Sequence, residues 1–412
     1  MIEAAPAART DTAPLSPLSD RVATIDALRA IALFGVIVMN LVAMPMLFKA
    51  EAVLARATPI DLTAGVLDLI FLQGKARSAF AFLFGLGFGV MMQRVEARGA
   101  GFVPFYLRRV SILLLIGLLN LAFLFWGDIL IVYAILGMTL ILFRKAGQKT
   151  LLTSGLLLVL LPPLLAGAME AVGGPLPNLA GLSPDQVDAG YAAALPAYLG
   201  GDFLAYVRAN FAYYAFHNLA ETSYVLMYDV GVLGLFLLGL WAARKGLLRD
   251  VEAFRPLLRR ILWVALPLGL LLSVVQATRR LGVPAEGALY GLVTAAYVGL
   301  PIMAFGYMAW LALYMSRGGG WLVRALSPMG RMALTGYLGS NLIGSFVWYG
   351  WGLGKLADPA FLTALNANLF AIGVFVGLCV FSALWLRVFR FGPAEWVWRS
   401  LTYGRLQPML KH

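Results

Sequence analysis

Ten apolar segments, each close to the length that crosses a lipid bilayer, recur along this 412-residue chain. A transmembrane helix needs about 20 mostly apolar residues. Hydrophobic residues make up 61% of the chain and charged residues only 13%, a balance unlike that of soluble domains. The sequence therefore predicts an all-α, polytopic bundle of transmembrane helices. The predicted spans are 25–47, 64–93, 109–126, 128–143, 150–168, 223–243, 260–278, 286–315, 329–350 and 364–386.

The distribution of basic residues predicts which side of the membrane each end of the chain faces, because short cytoplasmic loops are enriched in Lys and Arg. If all ten segments cross and both termini are cytoplasmic, most basic residues lie inside or within spans. Those left outside are Lys49, Arg56, Arg208, Arg279, Arg280 and Lys355. The span at 128–143 is the shortest, and if it turned back within the membrane, the topology after it would invert.

Composition divides the chain into five parts. Residues 1–24 are polar, rich in Ala and Pro and without an apolar run, which is typical of a disordered cytoplasmic tail. Residues 169–222 form the longest segment between spans, and their spaced aromatic residues predict interfacial helices on the extracytoplasmic side. These helices could be a lid over a cavity or a simple interfacial anchor. The other parts are five-span halves at 25–168 and 223–386 and an amphipathic cytoplasmic segment at 387–412.

Charge, cysteine and histidine content exclude several functional classes. The net charge of +12 is carried largely by short loops at span ends, so lipid head groups are the expected partner and nucleic acid is not. Cys379 is the only cysteine, which excludes a disulfide framework. The only histidines are His217 and His412, so we expect no metal site. The first span can act as its own insertion signal, which makes a bacterial inner membrane the expected location.

Polar side chains inside spans are costly, so they are the first candidates for function. Asp26 and Arg29 are three residues apart and can pair on one face of the first span. Asn40 follows Arg29 by eleven residues, close to three helical turns, and therefore shares that face. The third span repeats the spacing with Arg109 and Asn120. The two faces could line one cavity, or the amides could join helices by hydrogen bonds.

The second span combines two cations with closely spaced glycines. Lys75 and Arg77 lie in its outer half, where a cation needs an acidic partner unless it reaches the membrane surface. The candidate partners are Asp61, Asp68 and Asp128. Gly85 and Gly89 are four residues apart and predict a close approach to another helix.

Five stretches spread over nearly the whole chain resemble the YeiB family of bacterial membrane proteins, also described as domain of unknown function 418. The most recognisable stretch is FRFGPAEWVWRSLTYG at 389–404, and the others lie at 25–36, 82–88, 108–130 and 330–335. This family is similar in architecture to transmembrane acyltransferases, which carry acyl groups from cytoplasmic acyl-CoA to acceptors across the membrane. The resemblance implies acyl-CoA as a cosubstrate, no covalently bound cofactor, and an extracytoplasmic acceptor.

The same resemblance bears on the catalytic residues. The related O-acetyltransferases carry an Arg and, after ten intervening residues, a His; here Arg29 matches and Asn40 stands in the His position. Many YeiB-like relatives carry a His where this chain has Asn120. An amide cannot act as a general base near neutral pH. Asp128 or His217 would therefore have to replace the missing base.

Residue roles implied by the resemblance fall into three groups. The expected catalytic residues are Asn40, Asn120, Asp128 and His217, with Glu221 one turn after His217 as its orienting partner. The expected coenzyme A site consists of Asp26, Arg29, Arg109 and Arg331, since Arg binds phosphate in a bidentate manner. The expected acceptor contacts are Lys75, Arg77 and Tyr133. A lone histidine such as His217 is more often merely interfacial.

Two other functions are compatible with the sequence. A small-molecule transporter also has a polar interior, but the chain shows no inverted repeat and no pair of similarly broken spans. A catalytically inactive scaffold is favoured by the two missing histidines. The sequence thus leaves an enzyme, a transporter and a scaffold as alternatives, and a homo-oligomer is compatible with each.

Overall fold

Helices build almost all of the chain in the computed structural model, which describes residues 18–54, 56–97, 101–174, 176–178, 180–281, 283–317 and 320–411. The first helices are α1 (Leu18–Leu54), α2 (Pro59–Leu67), α3 (Lys75–Glu96), α4 (Phe102–Phe123), α5 (Leu130–Thr139), α6 (Gln148–Gly173), α7 (Pro184–Ala192), α8 (Leu195–Leu199) and α9 (Phe203–Ala220). They are followed by α10 (Thr222–Lys245), α11 (Arg255–Arg280), α12 (Gly287–Ala295), α13 (Gly299–Ser316), α14 (Gly320–Arg331), α15 (Ala333–Trp348), α16 (Ala364–Val388) and α17 (Pro393–Tyr403).

Short non-α turns join or extend several of these helices. A π-helical stretch, Asp68–Leu72, continues α2, and 3-10 turns at Leu140–Phe143 and Ala296–Val298 follow α5 and α12. Another 3-10 turn, Lys355–Ala357, lies between α15 and α16. In the part of the chain that the structure describes, the one isolated β-bridge pairs Phe389 with Leu410.

Eight helical segments among the described residues are long and apolar enough to cross a membrane. They are Ala23–Met46, Pro59–Glu96, Phe102–Phe123, Gln148–Gly173, Thr222–Lys245, Arg255–Arg279, Gly287–Ser316 and Ala364–Val388. Each coincides with one of the ten predicted spans. The two other predicted spans correspond to shorter helices, Leu130–Phe143 and α15. The predicted all-α, polytopic fold is confirmed, and the chain is a multi-pass membrane protein.

The beginning of the first helix differs from the sequence prediction. We expected a disordered tail up to residue 24, but α1 begins at Leu18. Pro17 is the last proline before Pro45, and no glycine occurs before Gly35, so nothing in this stretch interrupts a helix. Residues 1–17 lie outside the described residues.

The segment between α6 and α10 docks against the end of α4. The Tyr206 hydroxyl of α9 donates a hydrogen bond to the Leu124 carbonyl at 2.7 Å, and Asn210 Nδ2 donates to the Ala122 carbonyl at 3.1 Å. Burial raises the pKa of Tyr206 to about 12. We call this side of the bundle the aromatic end, because α8 and α9 meet other aromatic side chains there. The buried aromatic residues at this end are Trp126, Tyr198, Tyr206, Tyr213 and Tyr349.

Arginine side chains gather at the opposite side, which we call the basic end. Arg244, in the last turn of α10, donates hydrogen bonds to the carbonyls of Arg144 and Ala146. Near the start of α1, the Asp26 backbone packs so closely against α14 that a Cβ on Gly330 would overlap the Asp26 carbonyl. The basic end is the side that the distribution of Lys and Arg predicts to be cytoplasmic.

Glycines bring α3 and α10 into backbone contact in the middle of the bundle. A Cβ on Gly85 would overlap the Phe236 carbonyl, and a Cβ on Gly239 would overlap the Phe82 carbonyl. One turn further along α3, a Cβ on Gly89 would lie 2.6 Å from Ala243 Cβ. The close helix approach predicted from the spacing of Gly85 and Gly89 is confirmed.

We expect Gly85→Leu to lower the apparent melting temperature of the purified protein strongly or to abolish folding. Forcing a side chain into a packed interior costs roughly 1–3 kcal/mol or more. Gly373→Leu on α16 is the matched control, since nothing lies within 4 Å of a Cβ at that position. Equal melting temperatures for the two variants, measured in the same detergent, would contradict this packing.

Candidate functional site

Three asparagines and one aspartate form a continuous chain of hydrogen bonds across the bundle. Asn40 Nδ2 on α1 donates to Asn341 Oδ1 on α15 at 3.3 Å. Asn341 Nδ2 donates to Asn120 Oδ1 on α4 at 3.1 Å. Asn120 Nδ2 then donates to Asp128 Oδ2 at 2.6 Å. We call these four residues the amide ladder, and they tie α1, α15 and α4 to the turn that precedes α5.

Asp128 ends the ladder at the beginning of α5. Its Oδ1 accepts the Ile131 N–H at 2.8 Å, and its Oδ2 is 3.4 Å from the Tyr337 hydroxyl. The same hydroxyl accepts the Ile129 N–H at 3.3 Å. A carboxylate at a helix N-terminus satisfies backbone donors that would otherwise lack partners. Asp128 is 5% exposed, so this buried carboxylate is held by donors from α4, α5 and α15.

The ladder joins the two faces that the sequence singled out. The repeated spacing from Arg to Asn predicts that α1 and α4 present matching faces, and Asn341 bridges them. Sequence reasoning missed Asn341, although an amide within the apolar run of α15 was a usable signal. Asn120 is 1% exposed and Asn341 is 0% exposed, so this part of the ladder lies in packed protein.

The predicted arginines gather at the basic end. Arg29 Nη1 is 2.7 Å from Asp26 Oδ1, as the spacing in the first span predicts. The Arg109 guanidinium lies 3.6 Å from the centre of the Trp398 ring and interacts electrostatically with Arg29 and Arg399. Arg331 interacts electrostatically with Asp26, and we call Arg29, Arg109, Arg331 and Arg399 the arginine cluster. Within the described residues, its one ion pair is the pair that Arg29 forms with Asp26.

Helix α17 covers the basic end and fixes the neighbouring helices. Trp398 Nε1 donates to the Arg109 carbonyl at 2.8 Å. The Glu395 carboxylate accepts the backbone N–H groups of Leu334 at 2.7 Å and Thr335 at 3.0 Å, and thereby caps the first turn of α15. Burial raises the pKa of Glu395, although hydrogen bonds from Thr335 oppose the shift. Helix α17 therefore connects the arginine cluster to the helix that carries Asn341.

Lys75 does not have the acidic partner that the sequence predicted. Its Nζ donates to the Leu69 carbonyl at 2.9 Å, and none of the ion pairs among the described residues includes it. Asp68 instead accepts a hydrogen bond from Asn368 Nδ2 at 2.7 Å. The local backbone explains the difference. The π-helical stretch and the left-handed Gly74, at φ 76°, fold the chain so that Nζ reaches a carbonyl of the preceding turn.

Arg77 is paired with a residue that sequence reasoning missed. Its Nη2 lies 3.1 Å from Asp229 Oδ1 on α10, and its guanidinium lies 4.1 Å from the centre of the Tyr228 ring. The Tyr133 hydroxyl donates to the Arg77 carbonyl at 3.0 Å, so the predicted residues Arg77 and Tyr133 are in direct contact. A carboxylate inside the apolar α10 was the available signal for Asp229.

His217 lies in α9 at the aromatic end. Its Nδ1 is 2.9 Å from the Tyr191 hydroxyl, and its ring centre is 6.5 Å from those of Trp126 and Tyr213. The aromatic surroundings fit the interfacial interpretation of this histidine. The orienting role of Glu221 stays a prediction.

A second ionic group joins α6, α10, α11 and α12, and sequence reasoning missed it. Arg279 Nη1 lies 3.4 Å from Glu170 Oε2 and donates to Thr294 Oγ1 at 2.6 Å. The Tyr224 hydroxyl donates to Glu170 Oε1 and accepts from Arg279. These side chains satisfy one another, which explains how Glu170 can be 1% exposed in an apolar helix.

Comparison with known proteins places the chain among bacterial relatives of matching length. The family described as "Protein of unknown function (DUF418)" matches residues 242–405. "Uncharacterized protein YxaH" of Bacillus subtilis (strain 168) is 33% identical over 95% of this chain and 97% of its own length. The chain belongs to the YeiB/DUF418 family.

Two further relatives of this YeiB/DUF418 protein also match nearly its whole length. "Uncharacterized protein YeiB" of Escherichia coli (strain K12) is 29% identical over 95% of this chain and 98% of its own length. "Uncharacterized 39.9 kDa protein in amylase 3'region" of Bacillus acidopullulyticus is 28% identical over 95% and 97%, respectively. The region that matches the DUF418 family contains Asn341 of the amide ladder and the whole of α17.

In this YeiB/DUF418 protein we expect Asn341 and Asn120 to be energetically coupled. In a double-mutant cycle on unfolding, Asn341→Ala and Asn120→Ala should show a coupling energy of about 0.6–1.7 kcal/mol, the range of hydrogen bonds between membrane helices. The matched control combines Asn120→Ala with Asn368→Ala, which removes a partly buried amide that bonds elsewhere, to Asp68. Additive effects for Asn341 and Asn120 would contradict the ladder.

We expect Lys75→Met to keep or raise the apparent melting temperature. Lys75 is 1% exposed, and one carbonyl compensates incompletely for the lost hydration of an ammonium group. Methionine retains much of the side-chain volume without the charge, whereas the control Lys75→Ala should destabilise by leaving a cavity. A melting temperature for Lys75→Met as low as that of Lys75→Ala would show that the ammonium itself stabilises the fold.

Proposed function

We propose that this protein is a membrane-embedded acyltransferase that binds acyl-CoA at the basic end and passes the acyl group to an acceptor from the opposite side. One observation carries the proposal. Helices α1 and α4 each carry an arginine of the cluster and an asparagine of the ladder, eleven residues apart. That separation corresponds to about 16 Å along a helix. A donor whose phosphates lie at the arginines could therefore extend its acyl arm towards the amides.

The arginine cluster has the properties of a phosphate site. Arg331 is exposed, and the Arg29 side chain is 33% exposed, so both are accessible from the basic end. Arg109 is stacked on Trp398 rather than neutralised by a carboxylate. Guanidinium groups bind phosphate oxygens in a bidentate manner, and a cluster with one acidic partner retains a net positive charge.

The ladder supplies the groups that acyl transfer needs. In the proposed step, Asp128 accepts the proton of an acceptor hydroxyl or amine, whose oxygen or nitrogen attacks the thioester carbonyl. The carbon–sulfur bond then breaks and coenzyme A leaves as a thiolate that is protonated afterwards. The partly exposed Asn40 is separated from Asp128 by Asn341 and Asn120 and would hold the acyl arm of the donor. This assignment uses Asp128 where related enzymes use histidine.

The proposed location follows from the same arrangement. A bacterial inner membrane would place the basic end in the cytoplasm, where acyl-CoA is available, and the aromatic end in contact with extracytoplasmic acceptors. The buried aromatic residues of α8 and α9 would then cover the acceptor side. Lys75, Arg77 and Tyr133 remain the proposed acceptor contacts.

A transporter is the second candidate, and interrupted helices favour it. The segment Pro59–Glu96 is broken by the π-helical stretch and Gly74, and Gly287–Ser316 is broken by a 3-10 turn. The two breaks lie close together, since a Cβ on Gly74 would lie 2.6 Å from Leu300 Cδ1, two residues after the 3-10 turn. Broken helices in pairs are typical of transporter binding sites. Sequence reasoning did not identify these two breaks, which differ in kind, although Pro301 lies three residues after the 3-10 turn.

The experiment that tests the acyltransferase proposal is a thermal-shift titration of the detergent-purified protein. The ligands are acetyl-CoA, free coenzyme A and the uncharged thioester of N-acetylcysteamine. A ligand that binds only the folded state raises the apparent melting temperature. We expect saturable shifts with the two coenzyme A species and a much smaller shift with the uncharged thioester.

Arg29→Ala should weaken coenzyme A binding by about tenfold or more, because a hydrogen bond to a charged group contributes about 1.5–3 kcal/mol. Arg255→Ala is the matched control, since Arg255 pairs with Glu252 three residues away just as Arg29 pairs with Asp26. Loss of binding in Arg29→Ala alone supports the donor site. No shift in the unmodified protein, or equal shifts in the two variants, would overturn it.

A further inference from the structure

A half-open pocket of about 40 Å³ lies where the two interrupted segments meet α6 and α10. Arg77 and Ser78, in the first turn of α3, form one side, and Tyr297 of the 3-10 turn and Leu300 of α13 form another. This volume is well below the range of about 300–1,000 Å³ for complete small-molecule sites, so only part of a ligand fits inside and the rest must extend through the open side. The amide ladder does not contribute to its lining.

One corner of the pocket consists of hydrogen-bond donors. Arg77 Nη2 is engaged by Asp229, but Arg77 Nε is buried without a hydrogen-bond partner in the described part of the chain. Tyr228 stacks on the guanidinium and interacts electrostatically with Tyr297, so both phenol rings lie near the same corner. Guanidinium groups only donate, and phenol hydroxyls can donate. A ligand group at this corner must therefore be rich in acceptors.

The rest of the pocket is apolar. Val159 and Pro163 of α6 and Leu235 of α10 line it, together with Leu300. Gly231 contributes open space, because nothing lies within 4 Å of a Cβ at that position. The pocket therefore combines an acceptor-binding corner with walls that suit a hydrocarbon chain.

We infer that this pocket binds a lipid phosphate, with the phosphate at Arg77, Tyr228 and Tyr297 and the hydrocarbon chain extending through the open side along α6 and α10. Phosphate offers acceptor oxygens in several directions, which matches donors converging from α3, α10 and the 3-10 turn. A guanidinium already anchored by Asp229 loses little further side-chain freedom on binding. The inference does not depend on acyl transfer, and its test contains no coenzyme A.

Three soluble probes distinguish binding of the lipid phosphate from binding of the hydrocarbon chains. Dioctanoyl phosphatidic acid carries both, dioctanoylglycerol lacks the phosphate, and glycerol 3-phosphate lacks the chains. Binding of each probe to the detergent-purified protein is measured by thermal shift and by native mass spectrometry. We expect phosphatidic acid to bind about tenfold or more tightly than either other probe, because the two parts of the pocket are occupied together.

Two variants locate the binding site. Gly231→Leu places a side chain in the open space of the pocket, and we expect it to weaken phosphatidic acid binding by about tenfold. Gly373→Leu is the matched control on α16, where the added Cβ also meets nothing, and it should bind like the unmodified protein. Arg77→Gln should remove the preference for phosphatidic acid over dioctanoylglycerol. The weak binding of the hydrocarbon chains should remain.

The possible outcomes decide the inference. Preference for phosphatidic acid that is lost in Gly231→Leu and retained in Gly373→Leu supports it. Equal binding of phosphatidic acid and dioctanoylglycerol would reduce the pocket to a hydrophobic cavity and overturn the phosphate assignment. Unchanged binding in Gly231→Leu would place the lipid elsewhere, even if Arg77→Gln failed to fold.

Discussion

The hydrogen bonds that Asn341 makes to Asn40 and Asn120 connect helices far apart in the sequence, and the arrangement of both ends depends on them. A polar side chain inside an apolar bundle must find partners there, because hydrocarbon offers none. Asn341 is 0% exposed and meets this requirement by bridging α1 and α4. Because α1 and α4 also carry Arg29 and Arg109, the bridge that aligns the amides brings these arginines together at the basic end.

The same requirement for partners explains the other polar contacts. Glu170 is satisfied by side chains from three helices, and Arg77 by Asp229 and an aromatic face. Lys75 has a single carbonyl as its hydrogen-bond partner. Glycines make the close packing around these groups possible, as at the crossing of Gly85 with α10. The functional proposals rest on the groups whose donors or charges exceed what the fold itself uses, namely the arginine cluster and Arg77.

Features set by local spacing could be predicted from the sequence, whereas features set by long-range contacts could not. The apolar spans, the ion pair of Asp26 with Arg29 and the close packing at Gly85 all follow from helical periodicity within one segment. Asn341 and Asp229 were missed because their partners lie on helices whose proximity no local pattern encodes. The prediction of an acidic partner for Lys75 was wrong, because a π-helical stretch before Lys75 changes the direction of the backbone.

The central claim of the proposal is that acyl-CoA binds at the basic end and that Asp128 accepts the proton of the acceptor during acyl transfer. Its most direct test supplies radiolabelled acetyl-CoA, which does not cross membranes, to inside-out and right-side-out membrane vesicles that contain the protein. The account predicts acceptor labelling only in inside-out vesicles, which expose the cytoplasmic face, and loss of labelling in Asp128→Asn. Absence of labelling in both orientations, equal labelling in both, or full labelling with Asp128→Asn would contradict it.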